Sequence, residues 1–178
     1  MKAAYLIGFR GAGKSTLGAA VARELNVRFL DLDVILEAKW GEPTPDWILA
    51  HGEAAFREEE AGALLEIEQA LALDARPTLV ALGGGIVEGA ASLKILSTSA
   101  IPKIYLSVPP GELWARLSAN PERLKVGALS SLNELQTLWE KRRPLFEKIS
   151  TKRVENCDIN ESISELKQEL AARWGLPL

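Results

Sequence analysis

Cysteine and histidine are almost absent from this chain of 178 residues, which contains one of each, Cys157 and His51. An internal disulfide needs two cysteines, and structural zinc sites need several Cys or His ligands. The composition therefore excludes a fold held by disulfides and a Cys/His metal centre. We interpret Cys157 and His51 as ordinary structural residues.

Long apolar runs and basic tracts are missing as well. No window approaches the roughly 18 uninterrupted apolar residues of a membrane span, and the formal net charge is −3. The absence of a basic tail or stripe argues against a nucleic-acid partner. The glycine-rich motif that begins at Gly8 leaves no room for a secretory signal before it. We therefore expect a cytoplasmic protein.

The most informative stretch is the octapeptide 8–15, GFRGAGKS, followed by Thr16. It matches G-x-x-x-x-G-K-[ST], the phosphate-binding loop of P-loop proteins. The apolar run Ala3–Ile7 predicts a buried strand leading into it, and the segment after it predicts a helix. A glycine-rich turn that matches by accident would not need this context, so the sequence predicts nucleotide binding.

The spacing of this loop has a physical reason. Its glycines allow positive φ and a close backbone approach to the ligand. Consecutive N–H groups then form an anion-binding nest, to which the following helix adds the positive end of its dipole. Lys14 can reach the β- and γ-phosphates, and the Ser15 hydroxyl can ligate Mg²⁺.

Apolar runs alternate with longer amphipathic stretches along the whole chain, which predicts an α/β fold with a parallel sheet between two helical layers. The predicted strands are Ala3–Ile7, Val27–Leu30, Thr78–Leu82, Ile101–Val108 and Lys152–Asp158. The predicted helices are Lys14–Leu25, Val34–Lys39, Asp46–His51, Glu53–Leu73, Gly111–Ser118 and Ser131–Lys148. A capping box at Ser162 predicts a last helix that ends near Arg173.

Two carboxylates, Asp31 and Asp33, follow the second predicted strand directly. Ligands of parallel sheets bind beyond the carboxyl ends of the strands. Carboxylates at that edge suit Mg²⁺ ligation through water and activation of an acceptor hydroxyl. The alternative is that Asp33 is the N-cap of a helix that starts at Val34, which would account for one aspartate but not for both.

Three further motifs are ambiguous by themselves. On a helix, Arg57 lies beside Glu53 and Glu60. These charges either form a solvated ionic face, or they hold the Arg57 guanidinium in position to bind a carboxylate. Gly83-Gly84-Gly85 ends a strand, where glycines admit a ligand closely. Arg142 belongs to a basic cluster, 141–143. The alternative to a binding role is that these cations stabilise the C-terminal end of a helix through its dipole.

Segment 118–130 carries Pro, Gly and charged residues between two predicted helices. In a nucleotide kinase such a segment is a natural lid over the phosphates, and a plain surface loop is the alternative.

Taken together, these motifs resemble the shikimate kinase family, in order and over most of the chain. The resemblance rests on the phosphate loop, Asp31-x-Asp33, Gly52-Glu53-x-x-Phe56-Arg57-x-x-Glu60, Gly83–Gly85 and Arg142-x-Pro144-Leu145. It implies a three-layer α/β/α P-loop kinase fold with a five-stranded parallel sheet. It also implies one domain, 1–178, with a substrate-binding helical insert at about 34–60, a lid at about 118–130 and a monomeric state.

The resemblance further implies transfer of the ATP γ-phosphoryl group to the 3-hydroxyl of shikimate in the chorismate pathway, with ATP and Mg²⁺ as cofactors. The implied catalytic residues are Lys14, Asp33 and Arg123, and the metal would be held by Ser15 and, through water, Asp31. The implied nucleotide-binding residues are Gly11, Ala12, Gly13, Lys14, Ser15, Thr16 and Arg116. The implied shikimate-binding residues are Asp33, Phe56, Arg57, Glu60, Gly83, Gly84, Gly85 and Arg142.

Two segments depart from the family pattern: Leu124-Lys125-Val126, where Pro-Leu-Leu usually follows the lid arginine, and 41–48, where Trp47 or Ile48 would fill the pocket wall. Two alternative functions stay open. One is a kinase for another polyhydroxylated acid such as gluconate, which the arginine pair and the triple glycine disfavour. The other is a non-catalytic, kinase-like binding protein, although none of the expected catalytic residues is missing.

Overall fold

The centre of the protein is a five-stranded parallel sheet with the strand order β2-β3-β1-β4-β5. The structure, a computed structural model, describes residues 2–119 and 129–178. The strands are β1 (Ala3–Ile7), β2 (Arg28–Asp31), β3 (Thr78–Ala81), β4 (Lys103–Ser107) and β5 (Lys152–Glu155). The predicted five-stranded parallel sheet is confirmed.

The connections between the strands are helical. The helices are α1 (Lys14–Leu25), α2 (Leu32–Trp40), α3 (Thr44–His51), α4 (Glu53–Leu73), α5 (Ala90–Thr98), α6 (Pro110–Ser118), α7 (Leu132–Ile149) and α8 (Ile159–Trp174), with a 3₁₀ turn at Ile86–Glu88. Within the described residues, no helix combines the length and the apolarity that crossing a membrane requires.

Helices cover both faces of the sheet. The core has two halves because successive side chains of β1 point to opposite faces. Ala3, Tyr5 and Ile7 contribute to one apolar cluster with residues of α2, α3, α4 and α5. Ala4 and Leu6 contribute to the other, with residues of α1, α6 and α8. A strand buried on both faces is expected to be apolar throughout, as β1 is.

One local prediction was wrong, and two of the alternative explanations do not apply. Helix α8 begins at Ile159, because the Asp158 carboxylate accepts hydrogen bonds from the backbone N–H groups of Asn160 and Glu161 at 2.8 and 3.0 Å. The Ser162 hydroxyl is no cap and instead donates to the Asp158 carbonyl at 2.8 Å. The cap of α2 is Asp31 and not Asp33. Helix α7 continues past Pro144 to Ile149, so the basic cluster 141–143 does not lie at its C-terminus.

Helix α5 was not predicted at all. Its sequence, AASLKILST, is short and ends in polar residues, so its periodicity is weak. Its end is held from outside, because the buried Lys103 ammonium group donates to the carbonyls of Leu96 and Ser99 at 2.9 and 2.7 Å. A tertiary contact of this kind is not visible as a local pattern.

Candidate active site

The residues singled out by the motifs lie at the carboxyl edge of the sheet. The phosphate loop follows β1, Asp31 ends β2, the three glycines follow β3, and Asn156 follows β5. Because parallel strands all point the same way, these chain segments meet at one edge, where α/β proteins bind ligands.

The phosphate loop has the backbone conformation that its motif predicts. Gly11 and Gly13 have φ of 81° and 91°, which strongly favours glycine at both positions. At Gly13 a side chain would also meet the Asn156 amide, 2.7 Å from an added Cβ. The first N–H groups of α1 have no intrahelical partner and are available to an anion.

Lys14 is buried beneath this loop. Its ammonium group donates to the carbonyls of Gly8 and Phe9 at 2.9 and 3.1 Å. Burial lowers the pKa of Lys14 from its ordinary value of 10.5 to about 8, although Asp33 and Asp31 act in the opposite direction. A phosphate arriving at the loop would add negative charge and favour the protonated form.

Ser15 and Asp31 come together next to the loop. The Ser15 hydroxyl donates to Asp31 Oδ2 at 2.6 Å, while Asp31 Oδ1 accepts from the Asp33 backbone N–H at 3.1 Å. The Asp33 side chain is exposed at the mouth of the site, yet the surrounding protein desolvates its carboxylate enough to raise its pKa, against the effect of Lys14. Oxygen donors of this kind are those that Mg²⁺ prefers.

A cleft of about 440 Å³ opens on the other side of the loop. It contains Arg116, whose guanidinium donates to the Asn156 carbonyl at 2.7 Å and also pairs with Glu112. The cleft is lined by Gly11, Gly13, Thr16, Arg116, Asn156, Cys157, Asp158 and Ile159. Its size and its position next to the phosphate loop suit the base and ribose of a nucleotide.

Asn156 is a site residue that the sequence interpretation missed. Its amide donates to the Ala12 carbonyl at 2.7 Å and so ties the phosphate loop to the end of β5. These two residues are 144 positions apart. Cys157, interpreted as merely structural, lines the same cleft.

Arg57 is held rigidly on α4. Its guanidinium donates to Glu60 at 2.8 Å and to Glu53 at 3.1 Å, as the helical spacing predicted, and lies 5.1 Å above the centre of the Phe56 ring. Glu60 is only 1% exposed, and burial raises its pKa while Arg57 opposes the shift. The Phe56 ring is buried, with an edge-to-face contact to Trp40, which stacks on Trp47.

Arg142 approaches the same place from α7. Its guanidinium donates to the Gly84 carbonyl at 3.3 Å and lies 5.2 Å from the centre of the Phe9 ring in the phosphate loop. It also makes a short ion pair with Glu88, and the same Glu88 oxygen is 3.7 Å from Arg57 Nη2. The two predicted clamp arginines therefore converge on one carboxylate, which belongs to the chain itself.

The triple glycine is needed for packing against this machinery. A Cβ on Gly83 would lie 2.5 Å from Glu60 Oε1 and 3.2 Å from Asp33 Oδ1. On Gly84 it would lie 2.6 Å from the backbone nitrogen of Arg10, and on Gly85 it would lie 2.7 Å from Arg57 Nη2. Glycines at all three positions let α4 and the phosphate loop close onto the end of β3.

Buried polar atoms without a hydrogen-bond partner among the described residues concentrate at this edge. They include Arg10 Nε, Arg142 Nε and Glu60 Oε1. Unsatisfied buried donors are costly, and a ligand is a common explanation for them at a site. Arg10, missed from the sequence because it occupies a variable position of the motif, has its pKa lowered by burial and by Arg142. Both of these guanidinium nitrogens are placed to donate to an anion bound at this edge.

The lid prediction falls largely on 120–128 and, with Arg123, lies outside the described residues. Every other predicted site residue is described, and those of the acceptor and phosphate groups lie at this one edge of the sheet.

Comparisons with known proteins agree on one family. A family model described as shikimate kinase matches residues 10–171. A shikimate kinase from Enterococcus faecalis is 36% identical over 173 residues, which is 96% of this chain and 99% of that protein.

Solved structures give the same result. A shikimate kinase from Acinetobacter baumannii in complex with shikimate superposes with a TM-score of 0.83 at 25% identity, covering 97% of this chain and 94% of that one. A gluconokinase from Sinorhizobium meliloti reaches a TM-score of 0.59 at 20% identity, covering 97% and 93% of the two chains. That likeness shows a common fold and nothing more.

Proposed function

The chain belongs to the shikimate kinase family, and we propose that it transfers the γ-phosphoryl group of ATP to the 3-hydroxyl of shikimate. One observation carries this proposal: Arg57 and Arg142 converge on a single carboxylate position beside the phosphate loop. A carboxylate acceptor gripped there would lie next to the phosphates that Lys14 and the loop hold.

In this proposal the nucleotide occupies the loop and the cleft beyond it. The backbone N–H groups of Gly11–Thr16 and the Lys14 ammonium bind the phosphates, and the Arg116 guanidinium contacts the adenine in the cleft. Arg123 acts from the lid on the transferring phosphoryl group, a role that the family resemblance alone supplies.

Ser15 and Asp31 are the residues that would hold Mg²⁺, Ser15 directly and Asp31 through water. Their oxygens are 2.6 Å apart, and this small set fits an ion that keeps several waters and takes its other ligands from phosphates. When bound, Mg²⁺ would neutralise charge on the β- and γ-phosphates.

On the acceptor side, the shikimate carboxylate pairs with Arg57 and Arg142, while its hydroxyls contact Asp33 and the Gly83–Gly85 backbone. Phe56 forms an apolar wall and Glu60 braces Arg57. Fork-shaped guanidinium groups recognise a carboxylate by paired hydrogen bonds, which fixes the ring and therefore the reacting hydroxyl.

The reaction then needs positioning and charge neutralisation more than covalent help. The hydroxyl oxygen attacks the γ-phosphorus in line and its proton passes to Asp33. The bond between the γ-phosphorus and the β,γ-bridging oxygen breaks, and ADP leaves. We propose from the family resemblance that the chain acts as a monomer.

A coupled ADP-release assay across shikimate, quinate and gluconate tests the proposal. We expect turnover with shikimate and at most weak turnover with gluconate, which lacks the ring that the clamp orients. A preference for gluconate would mean that the protein is a kinase for another polyhydroxylated acid and not for shikimate. No turnover with any acceptor, despite ATP binding, would favour a non-catalytic binding protein.

A further inference from the structure

Glu88 lies where the proposed substrate carboxylate would bind. It ends the 3₁₀ turn Ile86–Glu88, directly after the triple glycine. Its Oε2 accepts from Arg142 Nη2 and is 3.7 Å from Arg57 Nη2, while its Oε1 is 3.1 Å from the Lys141 ammonium. Partial burial works to raise the pKa of Glu88, but Arg142 and Lys141 outweigh it and lower the pKa, so the group is ionised at neutral pH.

Within the network of ion pairs around Glu88 the charges are balanced without a ligand. Three carboxylates, Glu53, Glu60 and Glu88, pair with three cations, Arg57, Lys141 and Arg142. An incoming carboxylate would meet Glu88 at contact distance, and like charges so close repel strongly in a partly desolvated site. Binding therefore requires Glu88 to give up one of its partners.

The arginines do not need Glu88 for their orientation. Arg57 is already bound by Glu53 and Glu60, and Arg142 is placed by the Gly84 carbonyl and the Phe9 ring. Glu88, in contrast, has an alternative partner outside the clamp, since Lys141 is 68% exposed and contacts the other Glu88 oxygen.

Building on the proposed function, we propose that Glu88 is an internal competitor for the acceptor carboxylate and so determines acceptor affinity. In the unliganded protein Glu88 occupies the arginine pair. On binding, the acceptor carboxylate takes over Arg142 and Arg57, and Glu88 keeps Lys141 alone. Lys141 thus stabilises the displaced position and favours binding without touching the acceptor.

The test is acceptor affinity in Glu88→Gln, which keeps the size of the side chain but removes its charge. We expect its Kd for shikimate by calorimetry, and its KM for shikimate, to fall on the order of tenfold. Its KM for ATP should change much less. Lys141→Met should have the opposite effect, raising the KM for shikimate, because Glu88 then has only the arginines as partners.

Glu58→Gln is the matched control. It makes the same change of net charge at an exposed position of α4 and should leave both KM values within about twofold of the original. A higher KM for shikimate in Glu88→Gln would show that Glu88 positions the arginines, and an unchanged KM would show a bystander; both results overturn the inference. If the unaltered protein neither binds nor turns over shikimate, the proposed function itself fails.

Discussion

Burial lowers the pKa of Lys14, in the phosphate loop, to about 8. Below pH about 8 its buried ammonium is protonated, and the charge is lost as the pH rises through about 8, well before the ordinary pKa of 10.5. Bound phosphates favour the charged form and move this loss to higher pH. The free protein and the nucleotide complex should therefore respond differently to alkali.

We predict that kcat/KM for ATP declines above pH about 8, whereas kcat at saturating ATP declines only at higher pH. The first quantity reports the free protein and the second reports the complex. Full pH profiles of both parameters test this prediction. Lys14→Arg, which stays charged, is the control: its affinity for a fluorescent ATP analogue should be level from pH 7 to 10. A level kcat/KM in the unaltered protein would contradict the prediction.

Asp33 carries the proposed proton transfer. Asparagine keeps its shape and can still hydrogen-bond a hydroxyl, but it cannot accept the proton. We predict that Asp33→Asn lowers kcat by about 10²- to 10⁴-fold while the KM for ATP changes little. Steady-state kinetics measure both quantities. Asp46→Asn, at an exposed position of α3, should behave as the unaltered protein does. Asp33→Asn with a kcat within tenfold of normal would rule out this role.

Sequence reasoning reached the residues whose neighbours are close along the chain and missed those whose partners are distant. The pairing of Arg57 with Glu53 and Glu60 follows from helical spacing. Glu88 is recognised as a site residue by its contacts with Arg57, Lys141 and Arg142, which are 31 to 54 residues away in the sequence, and Asn156 by its hydrogen bond to Ala12. No local pattern distinguishes these two residues from ordinary polar surface positions.

At the scale of whole elements, the sequence predicted the bounds of helices and strands best where a strong hydrophobic periodicity ended at a residue that typically terminates an element. The bounds of β1, α1 and α4 were predicted as the structure has them, because each is ended by glycine, asparagine or aspartate. Helix α8 starts four residues earlier than predicted, because its N-cap is Asp158 and not Ser162 of the capping box.

The cap of α8 gives a test at this scale. Removing the Asp158 carboxylate leaves two N–H groups in the first turn without a partner, so Asp158→Ala should lower the free energy of unfolding by about 1 kcal/mol. Urea denaturation measures this change. Ser164→Ala, inside the same helix and exposed, should shift the free energy by no more than about 0.5 kcal/mol. Equal effects of the two substitutions would mean that Asp158 is not the cap.

At the scale of the whole molecule, a chain with a net charge of −3 is proposed to bind two anions at the same edge of its sheet. It does so by assigning them to different elements. The phosphates would bind to the loop between β1 and α1. The acid would bind to α4, which packs on the other face of the sheet, and to α7, whose side chains contribute to both apolar clusters. Each anion therefore has its own cations, although Arg142 touches Phe9 of the phosphate loop.

This division predicts that each ligand stabilises the fold independently of the residues that bind the other. A ligand at about one hundred times its Kd adds about 2.7 kcal/mol, which is about 5 to 10 °C in Tm for a chain of this size. Arg57→Lys keeps the charge but loses the fork, so the Tm increase with shikimate should disappear while the increase with Mg-ATP persists. Lys14→Met should show the reverse pattern. Thermal unfolding of both variants, each compared with its own unliganded state, measures this, and loss of the ATP response in Arg57→Lys would mean that the two sites are not separate.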